Sequence, residues 1–351
     1  DLVLWFASPR VAAEPAAYEA LRAMFPGAVV AGCSTGGEIL GEDVCDSAVA
    51  AATTFDRARV RAVRADVTAD RSMVDVGGAL ARALRDEQLK AVFLLADGTH
   101  VNGTALVEGV TGELPESVVV TGGLAGDGPD FKITRVGLDA APTPMGVVAV
   151  GFYGESLRVG WGSAGGWEPF GPERQVTRSE GATLFELDGR PALELYKQYL
   201  GPQAAQLPGS ALLFPLVIRP EPGSDYDVVR TIVGVDEERQ ALIFAGDVPE
   251  GWSAQLMRGS PDNLSDGAAE AARQAGAAGE AGGLALLVSC IGRKLMMGQR
   301  VVDEVESVRD VLGPIPTLGF YSYGEICPHG FTGDCTLHNQ TMTITVLSEA
   351  V

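Results

Sequence analysis

Three times along this chain a short apolar run enters a glycine-rich turn that closes on an acid, and this repetition restricts the fold more than any other feature. The copies are Gly32…Gly37-Glu38, Thr121…Gly126-Asp127 and Gly319…Gly324-Glu325. Each follows an apolar strand, a helical stretch and a second apolar strand. The first set is Leu2 to Phe6, Ala16 to Met24 and Ala28 to Ala31. The second is Ala91 to Leu95, Gly103 to Gly109 and Ser117 to Val120. The third is Leu284 to Ser289, Val301 to Val311 and Ile315 to Leu318. Runs of this length between turn signals read as buried strands, and the helical spacing between them gives an alternating α/β pattern. Glycine at a repeated site points to a backbone path that a Cβ would obstruct. Val60 to Val63 before a helix at Asp75 to Arg85 parallels Ser253 to Met257 before a helix at Asp266 to Gln274. The pattern predicts two related α/β domains with mixed sheets and helices on them, residues 1–165 and 166–351.

The length of 351 residues exceeds what one core usually serves, and 46% apolar residues suffice for large cores. The turn-rich Gly165 to Pro172 suits a boundary or crossing connection. Beyond it, Gln175 to Ser179 and Leu184 to Leu187 read as strands. Pro191 and Gly201 bracket a helix over Ala192 to Leu200. Ala275 to Gly283, rich in alanine and glycine, reads as a surface loop or frayed helix end.

A formal charge of −20 repels phosphate backbones and anionic bilayers, so nucleic acid and membrane surfaces are not expected partners. No apolar run reaches the 18 residues a membrane-spanning helix needs. The chain opens at Asp1 without a cationic, apolar leader, which reads as a trimmed start. Five cysteines, odd in number and sparse, fit a reducing compartment, and the expected location is cytoplasmic.

None of the glycine turns carries a phosphate-binding lysine. Gly32-Cys33-Ser34-Thr35-Gly36 matches the nucleophile-elbow spelling, but the residues after it do not read as the required helix. Cys33 and Cys290 lack evident catalytic partners, and the chain is expected not to be an enzyme.

The remaining chemistry lies near the carboxyl end. Two of the three histidines, His329 and His338, fall there with Cys327 and Cys335. Cys327, His329, Cys335 and His338 could in principle close a tetrahedral zinc site, although their spacing is unlike the usual knuckles. One imidazole against an apolar slot could instead hold haem iron. Leu295, Met296, Met297, Phe320, Tyr321 and Phe331 could wall such a slot. His100 reads as a surface residue of the loop after Ala91 to Leu95.

Taken in order, several segments resemble the FIST sensory domain, in both its N-terminal and C-terminal parts. They are Gly32 to Ile39, Thr121 to Asp127, Gly166 to Pro172, Leu187 to Tyr196, Ser289 to Arg293, and Gly319 to Ile326 with His338-Asn339-Gln340-Thr341. The resemblance spans nearly the whole chain. It implies a bacterial intracellular ligand sensor that signals through a separate histidine kinase, or a diguanylate cyclase or phosphodiesterase. One branch of the family contains haem and senses nitric oxide. Similarity to that branch would make haem the cofactor, with His338 first and His329 second as axial ligand, and Tyr321, Met296 and Arg293 beside the group. The alternative is a haem-free module binding an amino acid or other small metabolite, with Arg293, Glu325 and Tyr321 as polar contacts.

Overall fold

The computed structural model describes residues 1–276, 283–330 and 332–350. The expected loop between Ala275 and Gly283 falls mostly outside the described residues, as does the expected wall residue Phe331.

The chain has the mixed α/β architecture read from its sequence, and its repetition is threefold. Three sheets share one plan, each centred on a parallel pair of fully or almost fully buried strands. These pairs are Leu2–Ala7 with Val29–Ser34, Leu89–Ala96 with Val119–Leu124, and Leu284–Cys290 with Thr317–Ser322. On one side of each pair runs an antiparallel strand from later in the same repeat: Ala48–Thr53, Gly146–Tyr153 or Met342–Glu349.

On the other side each sheet receives a strand from a different repeat. The first sheet takes Val136–Leu138 from the second repeat. The second takes Gly324–Pro328 and Cys335–His338 from the third. The third takes Glu38–Leu40 and Asp43–Cys45 from the first. The exchange closes a ring, so no repeat completes its own sheet.

Side-chain alternation explains why all three sheets close on one centre. Leu2, Leu4 and Phe6 face a common interior with Ala91, Phe93, Leu95, Leu284, Leu286 and Val288. The intervening residues face outward, where helices cover them, as parallel pairs require. Val3, Trp5 and Val30 pack under the helix Pro15–Met24. Val92 and Leu94 share a cluster with Leu80, Leu84 and Leu106 from the helices Met73–Leu84 and Gly103–Thr111. Ser72 and Asn102 cap these two helices through the N–H groups of Asp75 and Ala105.

The repeated glycine has a steric cause. Gly32, Gly122 and Gly319 lie directly opposite Trp5, Leu94 and Leu287 across the three parallel pairs. A Cβ would stand 2.2, 2.0 and 2.3 Å from the facing carbonyl oxygens of those residues. Only glycine allows so close an approach. Register thus equates Gly122, one place beyond the sequence alignment, with Gly32 and Gly319.

The third repeat differs from the second by an insertion. Leu157–Ala164 pairs with Met342–Glu349, the position that Arg59–Asp66 holds against Gly146–Tyr153. Between Ala164 and the helix Pro261–Ala275 lies a separate antiparallel sheet running from Glu168 to Arg258, with the helix Ala192–Leu200 and its own core. Ser253–Arg258 pairs with Leu216–Arg219 inside that sheet, so its likeness to Val60–Val63 is not structural equivalence. Gly165 to Trp167 carries the chain across, as its turn composition indicated. The Trp167 indole donates to the Gln340 carbonyl at 2.9 Å and fixes the crossing.

Candidate functional site

Each repeat buries one carboxylate against the backbone N–H that precedes its antiparallel flanking strand. Glu38 accepts the backbone N–H of Ser47 at 2.6 Å and the Thr35 hydroxyl. Glu325 accepts the N–H of Thr341 at 3.1 Å and the Ser322 and Thr341 hydroxyls. In both, the N–H belongs to the residue just before the antiparallel flanking strand. In the second repeat that residue is Met145, whose N–H goes to Asp97 at 2.6 Å, with the Thr134 hydroxyl at 2.7 Å. Asp97 therefore substitutes for the acid that the sequence placed at Asp127. Strand register puts Val136 at the position of Glu38 and Glu325. Asp127 instead caps its own loop, accepting the N–H groups of Lys132 and Ile133 and the Tyr323 hydroxyl.

The three acids differ in electrostatics. Burial pushes Glu325 up to about 8 against the pull of its hydroxyl and N–H donors, and burial also raises Glu38. Asp97 meets the same desolvation, but the donors from Met145, Thr134 and Thr99 outweigh it and hold its carboxyl below the usual range.

The structure brings the two late histidines together. Their rings stack at 5.8 Å between centroids, 8° from parallel. His338 Nε2 bonds the Cys327 carbonyl at 2.9 Å, and His329 Nε2 bonds the Asp227 carbonyl of the inserted sheet at 2.9 Å. Burial lowers His338 to about 4, so it sits neutral and donates to Cys327. A groove of about 550 Å³ next to them reaches Pro328 and Cys335 and is walled by Leu114, Val118 and Trp161, but neither imidazole lines it. As placed, these imidazoles do not fit an axial haem ligand: each Nε2 is engaged by a carbonyl and turned to protein.

Nor do the cysteines join them. Cys327 Sγ faces the Gly162 carbonyl and Cys335 Sγ the Val120 carbonyl. Among the described residues no three such donors gather to hold a metal ion, which removes the zinc reading. The nucleophile-elbow spelling also fails, because Ser34 ends a strand and its Oγ accepts the Arg135 N–H at 2.9 Å.

Arg293 and Tyr321 do meet, in a sealed network. Arg293 bonds Glu304 at 2.8 and 3.0 Å, and the Leu264 and Gly165 carbonyls. The Tyr321 hydroxyl and Ser289 Oγ donate to the other Glu304 oxygen at 2.7 and 3.2 Å. All four side chains are fully buried, so the group braces the third sheet against its helices. Met296 packs against the cluster of Trp167, Val217, Met257 and Leu264, away from the histidines. None of these three expected contacts lines the groove next to His329 and His338.

The arrangement best suited to a ligand involves the histidine read as surface. Asp97 ends the strand Leu89–Ala96, at the carboxyl end of a parallel pair, where α/β sheets commonly bind ligands. His100 follows in the same loop. Its Nδ1 lies 3.1 Å from Asp97 Oδ1 and 2.9 Å from Thr99 Oγ1, and its side chain is 42% exposed. A buried carboxylate on Nδ1 fixes the ring and leaves Nε2 outside that contact. No described residue bonds that Nε2.

The ring forms one wall of a cleft of about 300 Å³. Tyr323 and Phe131 form another, stacked at 4.2 Å and 13° from parallel. The third comes from the inserted sheet: Ala182, Val233 and Phe244 to Gly246. Aromatic and aliphatic walls beside polar groups that include an oriented imidazole, at a junction between two separately cored parts, match the usual form of a small-molecule site. The spacing Asp97-x-x-His100 was the available signal in the sequence. The opposite wall, contributed from more than 80 residues later in the chain, had none.

Comparison with known proteins agrees with the architecture. Residues 1–190 match the FIST N domain and residues 192–328 the FIST C domain. An uncharacterized protein of Mycobacterium tuberculosis is 29% identical over 262 residues, covering 70% of this chain and 67% of its own. An uncharacterized protein of Mycobacterium bovis is 30% identical over 273 residues, covering 73% and 68%. Among solved structures, the cyanuric acid hydrolase of A. caulinodans aligns over 84% of this chain and 100% of its own at 12% identity. Its TM-score of 0.20 supports no inference.

Proposed function

Because the chain belongs to the FIST family of small-ligand sensory modules, we propose that it binds a small metabolite in the cleft between the Asp97–His100 loop and the inserted sheet. The carrying observation is the His100 imidazole, oriented through Nδ1 by a buried carboxylate and lining a half-open cleft of mixed polar and apolar walls. The cleft walls come from two separately cored parts of the molecule, so occupancy biases how they sit together. That bias is the signal to an output partner, a separate histidine kinase or cyclase. We read the chain as a binding module rather than an enzyme.

The test is a thermal-shift and calorimetric screen of neutral and charged metabolites against the full chain. A hit is expected to lose at least tenfold in affinity in His100→Ala, whose unliganded melting temperature stays within a few degrees because the ring is half exposed. A hit indifferent to His100→Ala sinks this placement.

Haem with nitric oxide as ligand is the second reading: the two imidazoles stack in parallel, but neither lines the nearby groove of about 550 Å³. It requires His338 or His329 to leave its carbonyl. Bound haem would supply the gas-binding iron. A Soret band after purification with haem supplied, lost in His338→Ala or His329→Ala, would establish it. Absence of the band removes it and leaves the metabolite reading intact.

A further inference from the structure

Arg230 ends the strand Val228–Arg230 of the inserted sheet and is 6% exposed. Its Nε donates to the Asp247 carbonyl at 2.9 Å, and Nη1 to the carbonyls of Leu337 at 3.0 Å and Val229 at 3.4 Å. Nη2 bonds no described residue, and no described carboxylate lies within ion-pair distance. Arg293 marks the contrast: it is fully hidden but is neutralised by Glu304. A buried cation without a counter-ion is costly, and proteins keep one where something else supplies the charge.

The charged and titratable groups around Arg230 do not fill that role. Tyr226, Asp247 and His338 act on it only at longer range. The Asp247 carboxylate accepts from Asn102 Nδ2 at 3.3 Å, and Asp97 is held by its own donors. Burial draws the guanidinium down to about 10, in line with a charge awaiting a partner.

The backbone of Gly246 separates Arg230 from the cleft. Gly246 lines the cleft, and a Cβ there would stand 3.1 Å from Arg230 Nε, 3.2 Å from its Cζ and 3.3 Å from Leu337 Cδ2. At this point the cleft wall is bare backbone with the guanidinium directly behind it. Asn102 and Gly103, the amino end of the nine-residue helix Gly103–Thr111, line the same cleft and add potential of the same sign.

We propose that the cleft takes a small carboxylate, whose negative charge is attracted to Arg230 across the Gly246 backbone while His100 lies against the rest of the molecule. This rests on the cleft being the ligand site. A singly charged acid suits it better than phosphate, because a chain of net charge −20 repels a dianion more strongly.

The test measures melting temperature and calorimetric affinity of the full chain with acetate, propionate, butyrate and benzoate, at ionic strength matched with chloride, and with inorganic phosphate. At least one carboxylate is expected to raise the melting temperature by several degrees at millimolar concentration. Gly246→Ala is expected to weaken it at least tenfold. Arg230→Met is expected to abolish the carboxylate effect while raising the melting temperature of the unliganded protein, which a merely structural arginine would lower. Carboxylate affinity unchanged in Gly246→Ala overturns the proposal even if Arg230→Met fails to fold. Stabilisation by phosphate alone overturns the carboxylate assignment. A neutral metabolite bound in a His100-dependent way, with every carboxylate inert, overturns the proposal and leaves the cleft's function standing.

Discussion

Replacing Glu304 by alanine is expected to lower the unfolding free energy by about 3–5 kcal/mol, because removing one partner of a buried ion pair strands the other charge. Glu304 and Arg293 are both fully buried, and Glu304 also accepts Tyr321 and Ser289. The alanine variant leaves the guanidinium with only the carbonyls of Gly165, Leu264 and Gln340, and two hydroxyls unpaired. Urea unfolding measures the loss. The double variant Arg293→Met with Glu304→Leu removes both charges and is expected to recover a large part of it, since a well-packed apolar pair often equals a buried ion pair. A single-variant loss below about 1 kcal/mol would mean that water reaches the site and the network is not sealed.

The second large effect is on pH dependence. Glu325 is raised from 4.5 to about 8 by burial, so between these values the folded chain binds more protons than the unfolded one. Its contribution is fully present below 4.5 and is lost as pH rises through 8. His338 runs the other way. Lowered by burial from 6.5 to about 4, it contributes stability present above 6.5 and lost as pH falls through 4. The two slopes oppose one another from pH 4.5 to 6.5 and leave a plateau. From 6.5 to 8 Glu325 acts without opposition from His338, and at 1.36 kcal/mol per unit stability falls by about 2 kcal/mol. Burial raises Glu38 in the same direction, which adds to the loss of stability above the ordinary carboxylate range.

Chemical denaturation from pH 4 to 9 tests this, together with Glu325→Gln, which keeps an acceptor for Thr341 and removes the proton uptake. The variant is expected to flatten the alkaline limb by about 2 kcal/mol. An unchanged limb would show that Glu325 is ionised in the fold and stabilised by its donors.

Much of the fold is legible along the chain because its signals are local. Leu2 to Phe6, Ala91 to Leu95 and Leu284 to Ser289 announce themselves as strands by apolar runs, and the structure places all three at the ring's centre. The helices at Ala192–Leu200 and Val302–Leu312 were bracketed by their terminal residues and apolar spacing. The glycines were visible as a repeat, but their one-residue offset in the second copy was not. That offset follows from pairing with Leu94, a contact 28 residues away.

The candidate site was less legible. The late histidines stood out as a cluster, yet their spacing says nothing of what each Nε2 meets. The carbonyls of Cys327 and Asp227 are supplied by other strands. Arg293 and Tyr321 were expected as ligand contacts, and a buried arginine reads the same in sequence whether it meets a ligand or Glu304. Arg230 and Gly246 gave no signal, since a lone arginine in a strand is ordinary until its counter-ion is sought in three dimensions.

The sequence by itself determined the α/β class, the threefold strand and glycine-turn repeat and family membership, because hydrophobic period and backbone permissiveness are written residue by residue. Only the tertiary structure decided which repeat completes which sheet, that Asp97 stands in for an acid expected at Asp127, and that His100 rather than His338 faces a cleft. Strand exchange and burial are set by contacts between segments far apart in the chain. The energies that orient an imidazole or leave a guanidinium unpaired come from those neighbours, not from the residue's own position in the sequence.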